Sequence, residues 1–367
     1  MLYRCCLYLR TIYMQKIDFA PGKFYATVTA RVQDYFHKSN TTSKGNWSLY
    51  SKAIIIFAIW VSLYLAMLLW AESTALILLC YAGMGFVVTL IGFNVMHDGV
   101  HASWSKNATI NKILSYSMVF LGSSAKIRKV KHNVLHHTYT NIPDYDNDIE
   151  ASPVFRFHSE QKRHWFHAFQ FIYWPIFYVI SVFQWLFFRD FVNYFRWKYS
   201  HLDLNFTVSD HILFWLSKLR VVCIYIIIPS FIMVPSIAIR GTILTFSVLS
   251  IFMNVVFQLA HMVEKTQTPA LSPDHSIANE RAVHEVLTTA NFAMRSKLAT
   301  RLFWWLNFQI EHHLFPHISH IHYPKISHIV QDTCKEFGVR YSAYKTFRSA
   351  LWSHIKHLWN MGKATSQ

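Results

Sequence analysis

Residues 309–317 read QIEHHLFPH, which places three histidines and one glutamate between positions 311 and 317 of a chain that is 53% hydrophobic. One imidazole in an apolar protein is commonly a hydrogen-bonded core residue. Adjacent imidazoles are harder to bury for packing alone, because every ring brings polar nitrogens that need partners. The meaning of this stretch depends on whether other histidine pairs recur at helical spacing and can reach it.

The composition indicates an integral membrane protein. Of the 367 residues, 17% are aromatic and only 15% are charged, and the mean hydropathy is +0.21. A soluble domain carries about 25% charged residues. The net charge of +16 comes from basic residues scattered between apolar runs, as in loops that face anionic lipid. We therefore expect a lipid bilayer as a partner and no nucleic acid.

The cysteines and the N-terminus exclude two further classes. Cys5, Cys6, Cys80, Cys223 and Cys334 contain no CxxC pair, so neither a disulfide framework nor a thiolate metal site is predicted. Any metal must be bound by nitrogen and oxygen. The N-terminal segment lacks the uninterrupted apolar core of a signal peptide, because Arg4 and Arg10 break it.

Four uncharged runs are long enough to cross a bilayer, which takes about 20 apolar residues. They lie at about 53–71, 75–96, 221–239 and 241–260. Glu72 separates the first pair, and Arg240 with Gly241 separates the second, so we predict two helical hairpins. The predicted fold is an all-α integral membrane protein with four transmembrane helices, interfacial helices and a cytosolic helical cap.

A fifth uncharged run, 168–188, decides the topology. If it crossed alone, residues 97–137 and 312–317 would lie on opposite sides of the membrane. Its many Trp and Tyr residues suit the bilayer interface, so we predict that it lies along the interface or dips in and returns. The predicted domains are a cytosolic N-terminal segment 1–50, a membrane domain 51–330 and a cytosolic C-terminal tail 331–367.

The loops on the shared side are rich in lysine and arginine, whereas the opposite side receives little besides Arg240. By the positive-inside rule, the shared side is cytosolic. Its basic residues are Lys126, Arg128, Lys129, Lys131, Arg189, Arg196, Lys198, Lys218, Arg220, Arg295, Lys297 and Arg301.

Histidines recur where the predicted spans end. FNVMHDGVHASW (93–104) holds two histidines four residues apart, on one helix face. KVKHNVLHHTYTN (129–141) holds three more, and NVVFQLAHMVE (254–264) carries Gln258 and a single histidine at the end of the fourth span. With the opening stretch, eight histidines gather on the predicted cytosolic side: His97, His101, His132, His136, His137, His261, His312 and His313.

This pattern predicts a metal site. Imidazole suits iron, zinc and copper, and a pair of metals needs roughly this many donors. The other ring nitrogens need acceptors, which Asp98, Glu311 and the acidic stretch 144–150 can supply. His317, His320 and His322 lie beside the last cluster, and His317 is the nearest further candidate. Packing or surface roles are expected for His158, His164, His167, His201, His211, His275, His284, His354 and His357.

The motifs HDGVH, HNVLHH and QIEHHLFPH, in this order around two hydrophobic hairpins, resemble those of the membrane fatty acid desaturases over about residues 50–330. A third box that begins with Gln is similar to that of front-end and linoleoyl-CoA desaturase-like proteins. The resemblance implies a non-haem di-iron centre that uses molecular oxygen to desaturate a long-chain acyl lipid or acyl-CoA. No HPGG haem motif occurs, so no fused cytochrome b5 domain is expected.

The motifs also imply the site residues. The iron ligands are His97, His101, His132, His136, His137, His312 and His313, with His261 as the isolated ligand of the fourth span. Gln309 stands where related acyl-CoA desaturases have a further histidine. Three roles are open for it: binding iron, binding water, or only positioning its neighbours. Trp304 and Trp305 replace the small residues often found before this box, which predicts an altered substrate channel.

The chemistry implies an external partner. Acid–base groups cannot take a proton from an unactivated alkyl chain, so a redox metal is required. Oxygen needs four electrons to become two waters, and the substrate supplies two. The sequence has no Rossmann glycine fingerprint and no iron–sulfur cysteine set, so a separate donor is expected, ferredoxin or cytochrome b5-like, with its reductase.

The basic run before the second box has three interpretations. Lys126, Arg128, Lys129 and Lys131 can hold a phosphate-bearing head group, dock an acidic electron donor or serve only as a positive-inside anchor. For the whole chain, the alternatives are a di-iron hydroxylase for alkanes, carotenoids or sterols, a membrane di-haem electron carrier, and a metal transporter. The last two require polar ligands in the middle of the spans, where the sequence is almost entirely apolar.

Overall fold

The computed structural model describes residues 16–146, 149, 153–195 and 205–363. The chain is predominantly helical in these ranges. Predictions that concern Arg4, Cys5, Cys6, Arg10, Asp148, Glu150, Arg196, Lys198 and His201 lie outside the described residues.

The helices follow one another through the described ranges, with short loops between most of them. In chain order they are α1 (Phe24–Lys38), α2 (Trp47–Leu69), α3 (Thr74–Val100), α4 (Ala108–Ser115), α5 (Met118–Leu121), α6 (Ala125–Lys129), α7 (Trp165–Phe195), α8 (Val208–Ser230), α9 (Pro235–His261), α10 (Arg281–Leu287), α11 (Lys297–Leu302), α12 (Gln309–Leu314), α13 (Tyr323–Glu336) and α14 (Phe347–Lys363). Four π-helical segments interrupt or extend them: Gly92–Met96, Val130–His136, Trp185–Arg189 and Cys223–Ile227.

Among the described residues, five helices are long and apolar enough to cross a membrane: α2, α3, α7, α8 and α9. The expected runs 75–96 and 241–260 fall inside α3 and α9, and 53–71 overlaps α2. The third run, 221–239, does not correspond to one helix. Helix α8 ends at Ser230 and α9 begins at Pro235, so the turn between them lies at 231–234 and not at Arg240–Gly241.

The displaced turn has two physical causes. Lys218 and Arg220 were taken to lie outside a span, yet both lie within α8 with their charges satisfied. The Lys218 ammonium lies 2.8 Å from the Asp190 carboxylate and donates to backbone carbonyls, and Arg220 donates to two carbonyls before Leu121. At the other end, proline favours the first helical turn, so Pro235 starts α9. Arg240 then lies within α9.

Helices α3 and α9 pack closely because glycines remove side chains from their contact. A Cβ at Gly85 would collide with the Thr245 carbonyl, and one at Gly241 would enter the Tyr81 ring. The Thr245 hydroxyl donates to the Tyr81 carbonyl at 2.8 Å, which adds a polar link in an apolar interface. This contact brings the ends of the two helices, and the histidines on them, to one level.

The remaining helices cover these ends. Helices α1 and α13 pack together with the segment around α10 and α12. The Glu280 carboxylate accepts from the Phe24 and Tyr25 amides at 2.9 Å each, which satisfies the first turn of α1. Helix α14 packs on α7. Two short parallel strand pairs add to the expected all-α fold: β1 (Asp18–Phe19) with β2 (Ser276–Ile277), and β3 (Asn291–Phe292) with β4 (Ala343–Tyr344).

Candidate metal centre

The first histidine pair lies at an irregular helix end. The π-helical turn Gly92–Met96 immediately precedes His97, and His101 closes the last turn of α3. The ring centroids of His97 and His101 are 4.7 Å apart. Such π-turns occur mostly at functional sites, where they change the direction in which a helix presents its side chains.

The second box lies on a π-helix. His132 and His136 belong to the segment Val130–His136, and His137 follows directly. Because π-helical bonding runs from i to i+5, one turn holds more residues than an α-helical turn, and all three rings face one region. The centroid of His132 lies 5.4 Å from that of His136 and 4.8 Å from that of His137.

The remaining histidines come from two other segments. His261 is the last residue of α9, and His312 with His313 lies on α12. Asn291 fixes the start of α12, because its side-chain oxygen accepts from the Ile310 amide at 2.9 Å. The fold thus supplies rings from four separate parts of the chain to one place.

All eight candidate histidines are buried in one cluster. Three overlapping groups have ring nitrogens that lie within 4.8 Å of one another. His97 Nε2 and His312 Nε2 are 3.2 Å apart. Two nitrogens that bind the same metal ion, each at a distance of about 2.1 Å, lie about this far from one another. The groups are His97, His101, His132 and His312; His136, His261 and His313; and His137, His312 and His313.

Polar groups behind the rings set their orientation. The Nδ1 of His136 lies 2.9 Å from the Asp146 carboxylate. His313 Nδ1 lies 3.2 Å from the Thr140 hydroxyl, and His312 Nδ1 lies 3.2 Å from the Tyr323 hydroxyl. In each ring Nε2 is left for the cluster, which is the arrangement that metal-binding histidines use.

Sequence reasoning found some of these partners and missed others. Asp146 lies in the acidic stretch that was expected to supply acceptors. Thr140 follows His136 by one helical turn, a spacing that could have identified it. Tyr323 comes from the next helix in the chain, and no periodic signal connects it to His312.

Asp98 links the first box to the segment after the third. Its carboxylate lies 3.0 Å from His320 Nδ1 and 3.6 Å from His97 Nδ1, and it accepts from the Ser319 hydroxyl at 2.9 Å. His320 is therefore a buried partner of Asp98 and lies in none of the three histidine groups. His317 is exposed and also lies outside them.

Glu311 was expected to accept from a histidine, and its contacts differ from that expectation. Its carboxylate accepts from the Asn291 amide and from the Tyr341 hydroxyl, each at 2.7 Å. Burial raises the pKa of Glu311 to about 7. Its contacts fix the backbone of α12, so Glu311 holds the helix that carries the third box.

The donor set fits a bound metal. Within the described part of the chain, the Nε2 atoms of His101, His132 and His313 are buried without a hydrogen-bond partner. Such atoms cost about 1–3 kcal/mol each when nothing binds them. Burial also lowers the pKa of His132, His137, His312 and His313 well below the ordinary value, with neighbouring cationic and imidazole groups adding to it. The rings are therefore neutral, the form that ligates metals.

An apolar cavity of about 450 Å³ reaches the histidine cluster. It runs between α3, α7 and α9, and His97, His132, His136 and His312 form part of its wall. Gln258 and Gln309 also line it, and the Gln309 amide donates to the Leu306 carbonyl at 2.6 Å.

The tryptophan pair before the third box lies elsewhere. Trp304 and Trp305 are not among the residues that line this cavity, although Leu306 and Gln309 close to them are, so the altered channel stays a prediction. Both have a positive φ, and the Lys52 ammonium lies 4.4 Å from the Trp305 ring. Their contacts instead place them beside the first turns of α2.

The basic residues between Lys126 and Lys131 differ in their exposure and in whether they line the cavity. Arg128 and Lys131 line the cavity, and an Arg128 guanidinium nitrogen lies 3.2 Å from His132 Nδ1. Lys129 is exposed and Lys126 is half-buried, and neither lines the cavity.

A buried histidine cluster that could hold metal thus lies beside an apolar cavity, at the ends of helices long enough to cross a membrane. The chain belongs to the fatty acid desaturase family, whose model matches residues 73–345. It is accordingly a membrane-bound oxidoreductase, a fatty acyl desaturase.

Relatives with similar sequences are also named as fatty acyl desaturases. The chain is 32% identical over 365 residues to an sn-1 linoleoyl-lipid 6-desaturase of Synechocystis sp., covering 96% of this chain and 99% of the relative. It is 33% identical over 347 residues to the enzyme of the same name from Arthrospira platensis, covering 92% of each. An acyl-lipid (8-3)-desaturase of Physcomitrium patens is 33% identical over 348 residues, which are 92% of this chain and 72% of the relative.

The contact between Asp146 and His136 generates a prediction. Asp146→Asn keeps the shape of the side chain but removes its charge. The His136 ring then faces either a weaker, neutral amide oxygen or an NH2 group that cannot accept from it, so its orientation is less well held. We expect metal content after dialysis against a chelator and desaturation rate to fall about 10- to 100-fold. Metal analysis of the purified variant provides a readout that does not depend on turnover.

Asp144→Asn is the matched control, since Asp144 is exposed and lies two residues away. Asparagine tolerates its positive φ. Equal metal retention in the two variants would show that Asp146 does not hold a ligand.

Proposed function

We propose that this desaturase acts through two iron ions held by the eight clustered histidines, with molecular oxygen as co-substrate. The observation that carries the proposal is the overlap of three buried histidine groups in one cluster. The first and third groups share His312, and the second and third share His313, so the eight histidines form one continuous cluster. Eight donors are more than one ion binds, since a single metal takes about four to six.

The proposed ligand sets follow these groups. His97, His101, His132 and His312 surround one ion, and His136, His261 and His313 surround the other. His137 lies with His312 and His313, between the two sets. Gln309 lines the cavity beside His312, and because its amide is tied to the Leu306 carbonyl, we propose that it positions its neighbours.

The centre, when loaded with iron and supplied with oxygen and electrons, provides the oxidation that removes two hydrogens from an alkyl chain. The protein's own contribution is positional. Asp146, Thr140 and Tyr323 hold the rings, and the apolar wall of the cavity excludes water from the reacting carbons. The substrate gives up two electrons, and two more from a donor complete the reduction of oxygen to two waters.

We propose a lipid-borne acyl chain as the substrate. Relatives over nearly the whole length are named linoleoyl-lipid and acyl-lipid desaturases. A cavity of about 450 Å³ lies in the range of ligand sites and has the apolar lining that an alkyl chain needs. Arg128, Lys131 and Arg189 also line it, which adds polar contacts that the head group of such a lipid can use.

We also propose that the centre faces the cytosol and that α7 enters the bilayer without crossing it. The boxes before and after α7 meet in one cluster, which supports an even number of crossings between them. Helices α8 and α9 supply two. On this topology α2, α3, α8 and α9 cross, and the basic loops share the side of the histidines, as the positive-inside rule requires of the cytosolic side.

The electron donor is proposed to be a separate acidic protein, ferredoxin or cytochrome b5-like, that docks on Lys126 and Lys129. The proposal is supported by the short distance between these lysines and a proposed metal ligand. Arg128 lies between them, and its guanidinium is 3.2 Å from the proposed ligand His132. A donor on this surface would stand one side chain away from a ligand ring.

The ligand assignment is tested by His136→Ala, expressed in a host of known lipid composition. We expect the new unsaturated fatty acid made by the wild type to disappear, because one metal loses a ligand from a three-histidine set. Gas chromatography of total fatty acids measures this, and an alcohol as the product would instead indicate a hydroxylase. His328→Ala, which removes an exposed histidine of α13, is expected to leave the product unchanged.

The donor surface is tested by the double variant Lys126→Glu and Lys129→Glu with reduced ferredoxin as donor. Reversing two charges removes the attraction that speeds association, so the KM for ferredoxin rises about tenfold while kcat at saturation stays within about twofold. Lys112→Glu, an exposed lysine of α4, serves as control. The proposal fails if all these proteins share one KM.

A further inference from the structure

Three residues of α7 line the cavity and are also exposed on the outside of the protein. Phe177 and Ile180 are 37% and 47% exposed, and Gln184 is exposed as well. Their spacing of three and four residues puts them on one stripe of the helix. A side chain can meet both the cavity and the surroundings only at an opening, so this stripe forms part of a rim.

The neighbouring stripe of α7 is closed against α9. Ser250 Oγ accepts from the Val182 amide at 3.1 Å and donates to the Tyr178 carbonyl. The Asn254 amide donates to the Ser181 hydroxyl at 2.5 Å. These bonds seal the seam between the two helices, so the cavity opens along the exposed stripe and not between α7 and α9.

The surface around the opening is apolar. Ile172 and Ile176 are 62% and 61% exposed, and Phe187 and Phe188 continue the same outer surface. Exposed apolar residues at this density on a membrane-length helix face lipid tails rather than water. The opening therefore faces the hydrocarbon of the bilayer.

Basic side chains also line the cavity. Arg189 follows the rim on α7, and Arg128 and Lys131 come from the segment at the second box. The lining therefore contains arginine and lysine as well as phenylalanine and isoleucine, and a lipid likewise has a polar head group and apolar chains.

We propose that the cavity is filled from the side, through the opening rimmed by Phe177, Ile180 and Gln184, by one acyl chain of a diacyl lipid whose head group never leaves the bilayer surface. This rests on the proposed function, which places the reacting chain in the cavity. The second chain stays in the surrounding lipid, so the substrate is never extracted into water. A water-soluble acyl carrier has no access by this route.

Helix α7 is irregular on both sides of the rim residues, which favours bending there. Pro175 lies inside α7 and removes one backbone hydrogen bond just before the rim, and the π-helical turn Trp185–Arg189 follows it. The rim segment therefore lies between two irregular turns, where helices bend most readily.

The test is Ile180→Trp in vesicles of phosphatidylcholine that carries linoleoyl or other long chains. An indole at the rim obstructs the opening, so we expect the apparent KM for vesicle lipid to rise about tenfold or more while iron content and thermal stability stay at wild-type values. Ile176→Trp, one turn earlier on the same exposed surface but outside the cavity, is expected to stay within about twofold of wild type.

A photoreactive diacyl lipid, with a diazirine midway along one chain, gives a readout independent of turnover. It is expected to label the cavity wall in the wild type and in Ile176→Trp, and to lose that label in Ile180→Trp. Equal labelling and equal KM in both variants overturn the side opening, as does a wild type that desaturates acyl-CoA in water and leaves vesicle lipid untouched. If the wild type desaturates no acyl substrate at all, the proposed function fails instead.

Discussion

The structure depends on one requirement, the burial of eight imidazole rings that the protein's own polar groups satisfy only in part. Asp146, Thr140 and Tyr323 occupy one nitrogen of three rings, and the opposite nitrogens point into a common space. A buried nitrogen without a partner is costly, so the arrangement is stable only when something else binds there. The proposed metal coordination would meet this need and would explain why four distant chain segments converge.

The helices serve this convergence. The glycine contacts between α3 and α9 bring His97 and His261 to one level, and Asn291 and Glu311 anchor α12 against them. Two of the π-helical turns lie directly at the histidines, where an ordinary helix would direct the rings elsewhere. A third follows the rim of the cavity on α7. Three of the four π-helical segments in the described residues thus lie at the histidine cluster or at the rim of the cavity, and the fourth, Cys223–Ile227, lies in α8 and contributes to neither.

Much of the site was predictable because its signal is local. Histidine pairs four residues apart on the same helix, at the ends of apolar runs, indicate both the ligands and their level in the bilayer. Long-range contacts carry no such signal, and for that reason Tyr323 behind His312 and the pairing of His320 with Asp98 were missed. Hydropathy also misplaced the turn before α9, because it treats Lys218 as a boundary although Asp190 neutralises that charge within the fold. The position of α7, which decides where the cavity opens, follows from packing and not from its composition.

The central claim is that the cluster holds a pair of irons, and counting them tests it most directly. Protein purified in lipid nanodiscs, loaded anaerobically with ferrous iron and shown to be fully active, is analysed for iron and for polypeptide. The account predicts two irons per chain. It also predicts that a chelator removes both irons and that activity falls in proportion to the iron removed. Full activity with one iron per chain or none would contradict it.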